Sequence, residues 1–168
     1  MRISQVFGRM RTLTNPVCVK SRTGFVITVA DCHVLWQSKL QTEIALSTME
    51  AEYVALSSSC KELFPIIDLV KELGTATNLP LPKNADMHIS IHEDNSGTIV
   101  LAKLEPPRMT PRSKHYATKY HWFRERVCSP DSGIQVLKID TKNQLGDIFT
   151  KSLGRTQFEY LRRILMGW

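Results

Sequence analysis

Three acids occupy positions from which a carboxylate could hold a metal ion. Glu52 lies in ALSTMEAEYVAL, near the start of a predicted helix. Asp94 lies in IHEDNSG, at the C-terminal end of a predicted strand, and Asp147 lies in NQLGDIFTK, inside a predicted late helix. Strand ends and first helical turns converge at one rim of an α/β sheet, where sites tend to sit. Carboxylates gathered at such a rim repel one another and are tolerable only if something positive neutralises them. Mg²⁺ (or Mn²⁺) is the natural candidate, because it binds one or two carboxylates plus phosphate oxygens and keeps waters. Two such ions about 3.5–4 Å apart can activate a water and stabilise the leaving oxygen of a phosphodiester. Taken singly, each acid has an ordinary structural explanation. The helix macrodipole favours an acid in a first turn, and an acid at a strand end can cap the next helix. Their order and local context carry the argument.

A second set of residues suits phosphate. Arg112, Lys114, His115 and Lys119 lie in a basic, aromatic stretch that also holds Tyr116, Tyr120, Trp122 and Arg124, and Lys151 follows Asp147. Such a mix can hold phosphates and stack on nucleotides. The plainer reading is an amphipathic helix whose Tyr120 and Phe123 are core. The five histidines show no metal spacing with the cysteines, so a zinc site is not expected. There is no Gly-rich phosphate loop and no G-x-S-x-G elbow.

The chain has 168 residues with 22 Lys+Arg against 16 Asp+Glu, a net charge of +6. It is 42% apolar and 23% charged, which are globular values that exclude wholesale disorder and collagen-like sequence. The charge is unevenly placed. Residues 1–22 hold five basic residues and no acid, residues 43–95 are acidic, and residues 108–126 are basic again. An acidic, metal-binding centre flanked by basic segments suits a polyanion partner, although +6 also serves solubility alone. No apolar run approaches the roughly 20 residues of a membrane helix, and the basic N-terminus lacks a signal's apolar region. The four cysteines form no C-x-x-C pair and read as reduced thiols of an intracellular protein, cytoplasmic or nuclear.

The elements that must position these residues follow from patterning. GFVITVA (24–30) and HVLWQSK (33–39) read as a hairpin with its tight turn at Asp31–His33. Ser47-Thr48-Met49-Glu50 is a capping box, so a helix starts there. Tyr53, Leu56, Cys60, Leu63, Ile67 and Val70 recur at helical steps, Pro65 is expected to kink or split the helix, and Gly74 to stop it. Residues 75–86 read as a linker, MHISIH as a strand, and 95–104 as a helix. Residues 113–127 read as a further helix, 134–139 as a strand, and 143–152 and 156–166 as closing helices. A hairpin followed by βα units implies a mixed α/β sheet, parallel beyond its antiparallel edge.

In this order, ALSTMEAEYVAL, HEDNSG, RSKHYATKYHWFRE and NQLGDIFTKSL resemble the ribonuclease H domain of copia-type retrotransposon polyproteins. SRTGFVI and VLWQSKLQ fit the same family's early hairpin, so the resemblance spans roughly residues 17–165. It implies a ribonuclease H-like mixed sheet flanked by helices. It also implies hydrolysis of the RNA strand of an RNA–DNA hybrid with two Mg²⁺, beside a reverse transcriptase or other polyprotein segments. That family's acids run Asp, Glu, Asp, Asp. Glu52 matches the helix Glu, Glu50 the helix-cap acid, Asp94 the third acid and Asp147 the fourth.

The chain departs from the family in two places. The first Asp belongs at the end of a first strand, before SRTGF, where this sequence reads RMRTLTNPVCVK and holds no acid. Ala117 stands where the family usually has an acid. The expectation is therefore a domain over 17–168, an unrelated or disordered segment over 1–16, and a first central strand missing or replaced. The lesser alternative is that ISQVF fills that gap as a short strand. Catalysis should be weak or absent, since the first Asp would bridge both ions. The alternatives are a non-catalytic nucleic-acid-binding remnant and a pseudogene product without function. A retroviral-type integrase core is set aside because the region near Pro130 and Asp131 offers no late Glu.

Overall fold

The computed structural model describes residues 2–11, 20–77, 87–109, 116 and 118–168. Five strands form one sheet in the order β3-β2-β1-β4-β5. They are β1 (Arg2–Arg11), β2 (Ser21–Val29), β3 (Cys32–Leu40), β4 (His88–Glu93) and β5 (Ile134–Lys138). β1 pairs antiparallel with β2 and β2 with β3, whereas β1–β4 and β4–β5 are parallel. This is the mixed sheet, parallel beyond an antiparallel edge, that the patterning implies. The central place is not missing. Arg2–Arg11, which contains ISQVF, fills it, and residues 2–11 are therefore part of the same sheet as the rest. The physical reason is that β2 and β4 each need a hydrogen-bonding neighbour, and an extended RISQVFGRMR supplies both ladders at once.

The hairpin is as expected, with its turn one residue earlier. Ala30 and Asp31 take φ of 50° and 63°, the pair of positive values that a two-residue turn between twisted strands requires. The helix α1 (Thr48–Ala76) starts at the capping box. Ser47 Oγ accepts from Glu50 N–H at 3.0 Å, and Glu50 Oε2 accepts from Leu46 N–H at 2.8 Å. α1 is not split at Pro65 and, contrary to expectation, does not stop at Gly74. Leu63, Phe64 and Ile67 around the proline are buried, so tertiary packing outweighs the one lost backbone bond.

Helix α2 (Ser96–Ala102) follows β4 at once, capped by Asn95, whose side chain accepts from Gly97 and Thr98 N–H. Among the described residues of the predicted helix over 113–127, Thr118–Tyr120 is a 3-10 turn and the α-helix is α3 (Phe123–Cys128). Residues 113–115 lie outside the described residues, as does most of the 75–86 linker. The predicted helix at 143–152 is two 3-10 turns, Thr141–Asn143 and Leu145–Phe149, and α4 (Arg155–Met166) closes the chain.

Phe25 and Ile27 of β2, Ile89 and Ile91 of β4 and Val136 of β5 pack against Tyr53, Leu56, Cys60 and Leu63 of α1, with Leu101 and Phe123. β2 is buried on both faces. Its other face carries the segment 145–150. A Cβ at Gly24 would lie 2.4 Å from Thr150 Cγ2 and 2.8 Å from Phe149 Cβ, so the missing side chain is what lets that segment press on the sheet. Ser38 of β3 donates to Phe149 O at 2.6 Å and fixes it from the edge. Among the described residues no helix is long and apolar enough to cross a membrane.

Candidate metal centre

The C-terminal end of β4 meets the first turns of α1. Alternation along β4 points Ile89, Ile91 and Glu93 to one side, and all three are buried. On α1, Glu52 sits one turn after the cap, buried, directly before Tyr53 of the core. Glu52, Glu93 and Asp94 each offer a carboxylate oxygen, and these oxygens lie within 4.8 Å of one another. Two of the three expected acids are thus brought together.

Asp147 lies outside that 4.8 Å group but is electrostatically coupled to it through Asp94. It is buried, and its Oδ2 accepts from Lys151 Nζ at 2.7 Å. Burial raises its pKa and Lys151 pulls it back, leaving it at about 6. Lys151, expected to contact nucleic acid, is thus turned to Asp147 and half-buried. Lys119 is exposed and paired with Glu43, whose other oxygen accepts from Tyr120 Oη at 2.7 Å. Arg112, Lys114, His115 and Ala117 lie outside the described residues.

Glu93 is the acid that the motif reading passed over. It is fully buried, with Oε1 accepting from Asn95 N–H at 2.8 Å and Oε2 without a hydrogen-bond partner among the described residues. Burial is the main cause that pushes its pKa up to about 9, and the charges of Glu52 and Asp94 add to it. The signal was present in the sequence, since strand alternation in MHISIHE sets Glu93 in phase with Ile89 and Ile91.

Carboxylates crowded at a strand end, with a buried oxygen unpartnered, match the hard, oxygen-only donor set of Mg²⁺ or Mn²⁺. Lys138, at the end of β5, brings a positive charge to the rim, but its Nζ donates to Asp94 backbone O and to Ser96 Oγ rather than to a carboxylate. The central strand brings no acid. Its last pair with β4 is Val6 with His92. Residues 2–11 contain no Asp or Glu.

Behind the rim, the aromatic stretch is mostly core. Tyr53 meets Tyr116, His121 and Phe123 with ring centroids 5.9, 5.3 and 5.4 Å away, and its hydroxyl hydrogen-bonds His121 Nδ1 at 2.8 Å. His121 is buried with Nε2 unpartnered among the described residues, and burial lowers its pKa. Tyr120 and Trp122 remain partly open to solvent.

Known proteins align with most of this chain. The retrovirus-related Pol polyprotein from transposon TNT 1-94 of Nicotiana tabacum is 34% identical over 146 residues, 87% of the chain. Those from transposons RE1 and RE2 of Arabidopsis thaliana are each 32% identical, over 83% and 85% of the chain. Over most of its length, this chain is a homologue of plant transposon Pol polyproteins. It spans about a tenth of the length of these relatives, 10% of the first and 9% of the other two. No family model and no solved structure matches it. The motif resemblance and the Pol homologues agree on a retrotransposon polyprotein segment.

Proposed function

We propose that this Pol-like segment is a ribonuclease H-type domain of a copia-like retrotransposon, directed at the RNA strand of RNA–DNA hybrids. The observation that carries this reading is the meeting of Glu52 and Asp94 at the end of β4, from motifs 42 residues apart in sequence (94 − 52). Glu52, Asp94 and Asp147 would hold Mg²⁺ or Mn²⁺. The ion, when bound, would supply a polarised water and charge stabilisation at the scissile phosphate. The chain's own residues do the rest. α1 and β4 fix Glu52 and Asp94 on rigid elements, Lys151 holds Asp147 charged near neutral pH, and Lys138 offsets part of the acidic potential. An A-form-like hybrid is recognised by phosphates and 2′-hydroxyls rather than by base sequence. Basic residues 108–126 and exposed Lys119 are the candidate contacts, and reverse transcriptase or other polyprotein segments are the candidate protein partners.

One observation favours a second reading. β1 contains no carboxylate, which weakens hydrolysis and leaves a nucleic-acid-binding remnant. Incubating the folded chain with a labelled RNA–DNA hybrid in Mg²⁺ and in Mn²⁺ separates the two. The nuclease reading expects RNA cleavage that Asp94→Asn reduces by about 100-fold or more, the order seen when a group acting on transition-state charge is removed. The remnant reading expects no cleavage and binding that falls steeply with salt and ignores Mg²⁺.

A further inference from the structure

We propose that Glu93 is itself a ligand for a divalent cation, completing with Glu52 and Asp94 a three-carboxylate site at the end of β4. This goes beyond the acids assigned above and rests on the reading of the rim as a metal centre, although it does not require hydrolysis.

Three observations support it. The donor oxygens of these three side chains lie within 4.8 Å of one another, close enough to share one ion. Glu93 is fully buried and its Oε2 has no partner among the described residues. A buried carboxylate oxygen left bare is strongly disfavoured, and a cation is the partner that the neighbouring charges call for. Finally, the central strand leaves room for this role. Arg2–Arg11 contains no Asp or Glu, so any third carboxylate must come from elsewhere. Glu93 is in place because the same alternation that buries Ile89 and Ile91 turns it inward, while Asn95 N–H orients its Oε1. Neutral packing at this position would be served by Gln or Leu.

The test is Mn²⁺ binding by calorimetry, and by the electron paramagnetic resonance signal of free Mn²⁺, to wild type, Glu93→Gln, Glu93→Asp and Asp94→Asn. Circular dichroism confirms the fold of each. Glu93→Gln is expected to weaken Mn²⁺ binding by about 10–100-fold or more, at least the loss that follows removal of a group supporting a metal ligand. Glu93→Asp should recover part of it. Without metal, Glu93→Gln should melt higher than wild type, and added Mn²⁺ should raise the melting temperature of wild type but not of the variant. Equal Mn²⁺ affinity in wild type and Glu93→Gln would overturn the proposal, as would no binding by wild type. Hybrid cleavage, measured separately, tells this failure from that of the nuclease reading. A wild type that cleaves, beside a Glu93→Gln variant of unchanged affinity, removes Glu93 alone. A wild type that binds Mn²⁺ through Glu93 yet cleaves nothing removes the nuclease reading alone.

Discussion

Glu93, at the end of β4, and Asp147, in the turn that crosses the other face of the sheet, are both buried carboxylates with one oxygen bonded and one bare. They differ in what bonds them. Asp147 has the ammonium of Lys151 at 2.7 Å, whereas Glu93 has the neutral N–H of Asn95 and two acidic neighbours. The pKa values follow, about 6 for Asp147 and about 9 for Glu93. One acid is neutralised within the chain. The other is left to a proton or to an added cation. Burial alone therefore does not set the charge state of an acid, and the charge of its nearest partner does.

The largest expected effect tests how Asp147 is seated. Gly24→Ala places a methyl against Thr150 and Phe149, both packed parts of the Asp147 turn rather than free side-chain ends. Overpacking of this kind costs roughly 1–3 kcal/mol, read as a lower urea midpoint at unchanged slope. Unchanged stability would show that the segment yields and that Asp147 is not rigidly held.

A smaller effect is expected from Lys151→Met. It leaves Asp147 buried without its cation, and the pair is half-buried on the lysine side. The cost should fall between the roughly 0–1 kcal/mol of exposed pairs and the roughly 3–5 kcal/mol of buried ones, at about 1–2 kcal/mol. The contrast with Glu93→Gln, which removes a carboxyl that must take up a proton on folding at neutral pH and should therefore raise stability without metal, is the sharpest form of the comparison. If both variants move stability in the same direction, the two acids are not neutralised differently.

The smallest effect extends the comparison to a base. His121 faces Tyr53, Tyr116 and Phe123, with Arg124 close by, and burial, aided by the charge of Arg124, depresses its pKa below the usual 6.5. The unfolded chain then takes up the proton first as pH falls. Its contribution to stability is present above pH 6.5 and is lost on acidification through the folded pKa. Melting temperatures from pH 7.5 to 5 should fall more steeply for wild type than for His121→Gln. Parallel curves would show that His121 does not titrate against folding.

Much of the frame was legible in the sequence. The hairpin, the capped start of α1, and β4 with its following helix are local features, set by β-branched runs, S-x-x-E and alternation. Pro65 and Gly74 misled because breaker residues report local preference, and the buried flank of α1 overrides it. The segments 113–127 and 143–152 carry helical spacing, but 118–120 and most of 143–152 fold as 3-10 turns. Their aromatics and Asp147 are held by contacts to α1 and to β2, which no local pattern encodes. Glu52 and Asp94 were legible through their motifs. Glu93 matches none of the family's acids and is legible only through its strand phase with Ile89 and Ile91.

The sequence by itself determined which acids exist, that Glu93 and Asp94 directly follow the alternating MHISIH segment, and that residues 2–11 bring none. Only the tertiary structure decided that RISQVFGRMR takes the central place, that Lys151 turns to Asp147, and that Glu93 shares a rim with Glu52 and Asp94. The reason is range. Caps and alternation act over a few residues, whereas the field at a carboxylate is set by whichever charges the fold brings within a few ångströms.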